Sequence, residues 1–547
     1  MAKKVNFDKK SLDEIKLSVV NLIEGAVKTT LGPAGKVVML DQGYSTKMTK
    51  DGVSIAKAID LKDPEENSVA SFFKTAAVHT VDNAGDGTTT SIVLAANIFK
   101  SALKGVTYGA NSVLVKSGID DAIKIAVDAM NELKVVVADD FEKIKQVAIV
   151  SANGDSHIGE LISDAFQKIG KDGVITVEEG KTKEHDLKVV EGMQFDRGYI
   201  SSYFVTNTEK MVVELDNPFV LIYDKKISSM QMLLPVLQAV NSAGRGLLIV
   251  AEDLDGEALQ SLILNKLKGV LKVAAVKAPG FGDRRKEICQ DLAALTGGQY
   301  ISEEAGYRLD QVTINELGQA KRVVMNDKET TIVEGLGEKA DIEDRINQIR
   351  YQMENATSDY DKEKFAERLA KLAGGVAVIN VGGATEEAAK ECKDRVDDAV
   401  QAVKAAISEG IVPGGSVSLL YARNVLKGHL DSVSGDRKIG FYAVYQALKA
   451  PLLTILENAG RDDFALVLDK INSSQAAKNL NFGLDVRNDV FGDLVQIGVI
   501  DPLKVVRCAL MNAGSVAGML LTCEAFVTNL SEKDSDHSMG GGMPPMM

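Results

Sequence analysis

Residues 218–280 read PFVLIYDKKISSMQMLLPVLQAVNSAGRGLLIVAEDLDGEALQSLILNKLKGVLKVAAVKAPG. Three short apolar runs, PFVLIY (218–223), GLLIVAED (246–253) and VAAVKAPG (273–280), alternate there with helical patterns over 229–241 and 256–268. Strands separated by helices of that length predict α/β architecture with right-handed crossovers. A sheet therefore belongs in the middle of the chain.

Moving outward, GVITVEEG and DLKVVEG near 170–190 are β-branched runs bounded by glycines, and GGVAVINVGG (374–383) is another. Between sheet and strand, 338–372 predicts two long charged helices broken at ATSDYD. Beyond these, both flanks turn helical. Ser11 with Glu14 is a capping-box signature, followed by Leu12, Ile15, Val19, Leu22, Ile23 and Ala26 at helical spacing. A short strand, VVML (37–40), and a helix striped by Val69, Phe72, Phe73, Ala76 and Ala77 complete a mainly helical first 135 residues. From 386 onward the pattern is helical again, with VIDPLKV (499–505) as a turn and GFGDRRK (280–286) as a solvated one. Helical, α/β, helical is the order expected when one domain is inserted into another, so the two ends form one domain.

Composition narrows the function classes. The 547 residues suffice for several domains, each with its own core. The 63 Lys+Arg against 77 Asp+Glu give a net charge of -14, which argues against a broad nucleic-acid footprint. With no Trp and 5% aromatics, a base-stacking platform is disfavoured too. Cys289, Cys392, Cys508 and Cys523 are scattered, without metal spacing, and predict free, mostly buried thiols in a reducing compartment. The five histidines, His79, His157 and His185 among them, show no metal spacing and receive no function. The start, MAKKVNFDKKSLDEI, has no apolar signal core, and no run reads as a membrane span; a cytoplasmic protein is expected. The final MGGGMPPMM is too poor in core formers to pack.

Candidate chemistry begins at NAGDGTTTSIVLAANIFKSALKG (83–105), a helix pattern with Gly105 in the place of a C-terminal cap. It opens on Asp86, Gly87 and Thr88, Thr89, Thr90. Threonines are mediocre helix formers, so three together read either as a phosphate cradle at a helix N-terminus or as a threonine-rich N-cap. In the first case Asp86 could hold magnesium, which takes one or two carboxylates plus phosphate oxygens. No Walker A accompanies it, since Thr30 stands where Gly35–Lys36 would need an upstream glycine. TTLGPAGK (29–36), TKDGVS (49–54) and PGGS (413–416) are singly no more than turns. In the middle domain, Met230, Met232, Leu233, Leu234, Val236, Leu237 and Val240, then Leu259, Leu262, Ile263, Leu264 and Leu267, occupy more than one helical face. That surplus means burial on both sides or an exposed apolar binding surface.

Together and in order, TLGPAGK, TKDGVS, AGDGTTT, VVEGMQFDRGY, VAAVKAPGFGDRRK, LTGG, ATSDYDKEK, LAGGVAVI and GVIDPLKV resemble the GroEL-type, group I chaperonin family along essentially the whole chain. The resemblance implies a multidomain α and α/β fold. The mainly helical equatorial domain comes from 1–135 and 410–531, the intermediate domain from 136–190 and 376–409, the inserted α/β apical domain from 191–375, and a disordered Gly/Met tail from 532–547. It also implies an ATPase using ATP and Mg2+, assembled in seven-membered rings, commonly paired. Such a ring captures non-native polypeptides and encloses them under a GroES-type heptameric co-chaperonin; nucleic acid and membrane are not partners.

Carried over residue by residue, Thr30, Leu31, Gly32, Pro33, Lys50, Asp86, Gly87, Thr88, Thr89, Thr90, Gly415 and Asp501 contact nucleotide, with Asp86 on magnesium and Asp485 on the adenine side. Asp398 positions the attacking water and Asp51 assists. Tyr199, Tyr203, Phe204, Leu234, Leu237, Leu259, Ile263 and Leu264 form the surface for substrate protein and co-chaperonin, and Gly192 and Gly375 are hinges. This chain departs from the family pattern at Arg487, beside the adenine; at Pro413 before Gly414 and Gly415; at Leu453, where relatives carry a basic residue for ring–ring contact; and in its short tail.

Overall fold

A computed structural model describes residues 3–41, 46–137, 140–170, 173–180, 184–208, 210–356 and 358–529. The expected 532–547 tail lies outside them. The chain divides into two compact units: unit 1 takes residues up to Ser163 and those from Gly382 onward, and unit 2 takes Asp164–Gly180 and Glu184–Val381.

Unit 1 is helical and closes on itself through its two ends, because the strand Lys3–Asn6 pairs antiparallel with Phe526–Asn529. At its centre the helix Thr88–Thr107 packs against Pro64–Ala84, Asp436–Ala447 and Leu503–Thr522. Their apolar faces merge with Lys9–Val27 and Ser112–Glu132 into one core that includes Val20, Phe73, Phe99, Ile119 and Leu510. Two sequence expectations change here. The first helix starts at Lys9 after Asp8, so Ser11 and Glu14 lie inside its first turns and do not cap it. Gly105 does not end its helix, which runs to Thr107: a Cβ at Gly105 would stand 2.5 Å from Ile439 Cγ2, so this glycine lets two helices approach.

Two stretches, Asp436–Asn458 and Leu503–Thr522, do reach the length and apolarity of a membrane span, contrary to the sequence reading. Two-thirds of each (67%) is buried within the fold, and Leu503–Thr522 is the helix around which four others pack. The segment expected as a turn at 499–505 is instead the strand Ile500–Pro502 running straight into that helix.

Unit 2 is built on a mixed sheet. Val273–Lys277, Leu247–Ala251, Phe219–Tyr223 and Tyr300–Ile301 are its parallel part. Gly318–Met325 adds antiparallel to Phe219–Tyr223, then Thr330–Gly335 and Gly192–Phe195 follow. Every residue of Phe219–Tyr223 and Leu247–Ala251 is buried, as expected of strands covered on both faces. The helices Met230–Ser242 and Gly256–Leu267 fall where the 218–280 pattern places them. GFGDRRK is not a turn: a helix begins at Gly282 and continues to Thr296. The charged helices Lys339–Asn355 and Asp359–Ala373 pair with each other. Arg345 and Arg368 fasten them to Asp291, a fully buried carboxylate, at 2.6 and 2.9 Å. A smaller sheet joins Val174–Glu179, Val376–Val381 and Asp186–Val190.

Candidate nucleotide site

The threonine turn bears on both readings given above. The N-cap of Thr88–Thr107 is Gly87, at φ 90, and no side chain caps the helix. Thr89 Oγ1 lies 3.1 Å from Thr30 Oγ1, and the Thr30 hydroxyl reaches Val27 O at 2.9 Å. The first-turn N–H groups lie at the positive end of the helix dipole with no side-chain cap, and Asp86 Oδ1 accepts from Gly87 N just before them. A helix end of this kind suits an anion such as phosphate, and Gly87 supplies the left-handed backbone a side chain would resist.

Other segments of unit 1 converge on it. The turn after Lys9–Val27 is held by Asn458 Nδ2, which donates to Lys28 O at 2.9 Å and Leu31 O at 2.8 Å. This presents Thr30, Leu31, Gly32 and Pro33 as a fixed loop, with Gly32 at φ 85 against Ile455. Lys50, half-buried, and Asp51 precede the helix Gly52–Ala58. Gly52 sits so close to the threonines that a Cβ would lie 2.5 Å from Thr89 Oγ1 and 2.8 Å from Thr88 Oγ1. Asp51 caps its own helix, accepting from Val53 N at 3.0 Å, Ser54 N at 2.9 Å and Ser54 Oγ at 2.6 Å.

Strand Ile411–Pro413 pairs with Ile500–Pro502, setting Val412 opposite Asp501 and bringing the Gly414–Gly415–Ser416 turn beside it. Gly415, at φ 56, has no atom nearer than 3.9 Å to where a Cβ would stand. Asp485 ends the strand Phe482–Asp485 next to that turn, since Leu484 O is one of the atoms at 3.9 Å from Gly415.

Electrostatics bind these pieces into one site. Burial raises the Asp86 carboxyl above its ordinary range, and Asp51 adds to this, while the Gly87 N–H and the Ser151 hydroxyl oppose it. Asp398, on the helix Glu386–Glu409, is raised further, first by burial and then by Asp86, Asp51, Asp397 and Asp394. Asp501 is pushed up to about 7 by burial and by Asp86. Carboxyls that raise one another's proton affinity are a donor set short of positive charge. Among the described residues no three His, Cys, Asp or Glu side chains could hold a metal ion by themselves, so a cation here needs phosphate oxygens and water to complete its shell.

The sequence reading missed Ser151, whose hydroxyl donates to Asp86 Oδ2 at 3.3 Å from the end of the helix Phe141–Ser151. Nothing local in the sequence marks it, because the contact spans 65 positions.

In unit 2 the apolar surplus divides. Leu233, Val236, Leu237 and Val240 face the core, and Phe204 is fully buried. Tyr203 (61%), Leu234 (43%) and Leu264 (52%) are exposed, with Tyr199, Leu259 and Ile263 half-buried beside them. Phe204 and Leu237 thus support the surface from beneath and offer none of it. Gly192 and Gly375 are neighbours: a Cβ on Gly192 would meet Val376 Cγ2 at 2.5 Å, and one on Gly375, at φ 66, would meet Val190 O at 2.7 Å. None of the four cysteines forms a disulfide, and three of them are buried.

Comparison with known families places the chain. The TCP-1/cpn60 chaperonin family model matches residues 23–530, nearly the whole chain. Members of that family are nucleotide-dependent, ring-forming proteins that bind other polypeptides. With its uncapped threonine turn, its converging carboxyls and this match, the chain belongs to the TCP-1/cpn60 chaperonins and has a chaperone role in protein folding.

Proposed function

We propose that this chaperonin is an ATPase that binds non-native polypeptides on the apolar surface of unit 2 and folds them in a ring cavity. The observation that carries the reading is the meeting, within unit 1, of an uncapped helix N-terminus with Asp86, Asp398 and Asp501, three carboxyls of raised proton affinity. Free N–H groups suit phosphate oxygens, and crowded carboxyls suit a divalent cation.

The donor set fits Mg2+, which Asp86 would hold; bound there, the ion neutralises charge on the phosphate oxygens. Thr30, Leu31, Gly32, Pro33, Lys50, Gly87, Thr88, Thr89, Thr90, Gly415 and Asp501 contact the nucleotide, with Asp485 on the adenine side. Asp398 orients the attacking water. Asp51, held in place by three donors, assists it. The equatorial, intermediate and apical layout implied by resemblance accompanies this reading. So do rotation at Gly192 and Gly375, seven-membered paired rings, a GroES-type heptameric lid and a cytoplasmic location.

Steady-state ATP turnover with Asp398→Ala tests it. Turnover should fall by about 100-fold or more, the usual contribution of a positioned acid–base group, while calorimetry shows nucleotide still binding. Unchanged turnover removes Asp398 from the chemistry.

A further inference from the structure

Arg487, which departs from the family pattern, makes contacts that the nucleotide reading does not use. It lies in the turn between strands Phe482–Asp485 and Val490–Asp493. Asp485 Oδ1 accepts from Arg487 N at 3.0 Å and Asn488 N at 3.3 Å, and Oδ2 accepts from Asn488 Nδ2 at 2.7 Å. At the far end Asp489, at φ 55, pairs with Arg461, which also grips Asp463 at 2.9 and 2.6 Å. The turn is fixed at both ends, and the Arg487 side chain leaves it from a defined base.

Its guanidinium donates through Nη2 to Asn153 O at 2.7 Å and through Nη1 to Gly154 O at 3.1 Å. Those carbonyls follow the helix Phe141–Ser151, where Asn153 (φ 56) and Gly154 (φ 81) turn the chain left-handed. A guanidinium fork supplies two donors at a fixed spacing, here one to each of two successive carbonyls just past the helix. Gly154 makes the approach possible, since a Cβ there would stand 1.3 Å from Arg487 Nη1.

The two turns belong to different walls of the candidate site. The hairpin borders Gly415 through Leu484 O, and the helix end carries Ser151, which bonds Asp86. We infer that Arg487 is a positioning residue that straps these walls together, holding the Ser151 turn against Asp86 and slowing the exchange of bound nucleotide. This rests on the nucleotide reading of the site. Because Arg487 is solvent-exposed, its bonds are weak enough to open and close without unfolding anything. They act on a rate.

Dissociation of a fluorescent ADP analogue with Mg2+, followed by stopped flow on the full chain, tests this. Arg487→Ala should release the analogue roughly five- to tenfold faster, as expected for two charge-assisted bonds in solvent, at an unchanged melting temperature. Arg487→Lys keeps the charge but not the fork, and should resemble the alanine variant. Gly154→Ala should speed release in the wild type and add little in the Arg487→Ala background, since both remove one contact. Wild-type binding with an unchanged release rate in both Arg487 variants overturns the strap alone. Melting lowered by more than about 5 °C in both makes Arg487 structural and also overturns it. Absence of nucleotide binding by the wild type overturns the strap and the site together.

Discussion

The carboxyl of Asp501 sits at about 7 because burial removes its solvent and Asp86 repels its charge. A carboxyl held above its ordinary 3.8 binds its proton more tightly folded than unfolded. Its contribution to stability is therefore present at low pH and lost as pH rises from about 4 through 7. Asp501→Asn keeps the shape and removes the titration. The nucleotide-free variant should melt like wild type near pH 4 and progressively above it as pH approaches 8, which thermal unfolding across that range would show. On the apolar surface, Tyr203→Ser and Leu234→Ser should weaken capture of a denatured model protein several-fold without lowering stability, since both side chains are already exposed. Equal capture by both variants would move client binding elsewhere. Residue identities at the site were legible as types gathered in order along the chain. Ser151 was not, since a serine ending a helix carries no trace of the carboxylate it meets.

Among elements, the helix Gly52–Ala58 is set hard against the threonine turn. Gly52→Ala would push a methyl into Thr88 and Thr89, so nucleotide affinity should drop about tenfold or more, read by calorimetry, with the core of unit 1 intact. In unit 2, Arg368→Ala should cost about 3 kcal/mol in denaturant unfolding, because Asp291 stays fully buried with one cationic partner fewer. The strands at 218–223, 246–253 and 273–280 were readable because full burial makes their apolar runs continuous and glycines bound them. Helix ends were less so. Ser11–Glu14 imitates a cap that Asp8 pre-empts, and Gly105 imitates a stop but is needed for the packing of Ile439. Local signals specify that a helix exists; tertiary contacts choose where it ends.

For the whole molecule, solution mass by light scattering with and without ATP and Mg2+ is the deciding measurement. Seven chains of 58.5 kDa give about 410 kDa, and a paired ring about 820 kDa. The larger mass is expected, with Leu453 a tolerated change; the smaller keeps the cavity in a single ring, and a monomer under all conditions would leave a polypeptide-binding protein with no enclosure. The insertion of unit 2 within unit 1 was legible in outline, because β-branched runs begin near 170 and helical periodicity resumes at 386, a few residues from where the chain leaves and re-enters unit 1.

The pairing of Lys3–Asn6 with Phe526–Asn529 also sets a timetable. A ribosome adding about 5–20 residues per second needs from roughly half a minute to nearly two minutes to travel between those strands. For most of that interval Val20, Phe73 and Phe99 have been made while Leu510, a member of the same finished core, has not. Unit 2, finished in the meantime, has every partner it needs to fold first. A protein with a chaperone role in folding thus spends most of its own synthesis as an incomplete chain, and slowing translation of its last hundred or so codons should raise the fraction that aggregates before release.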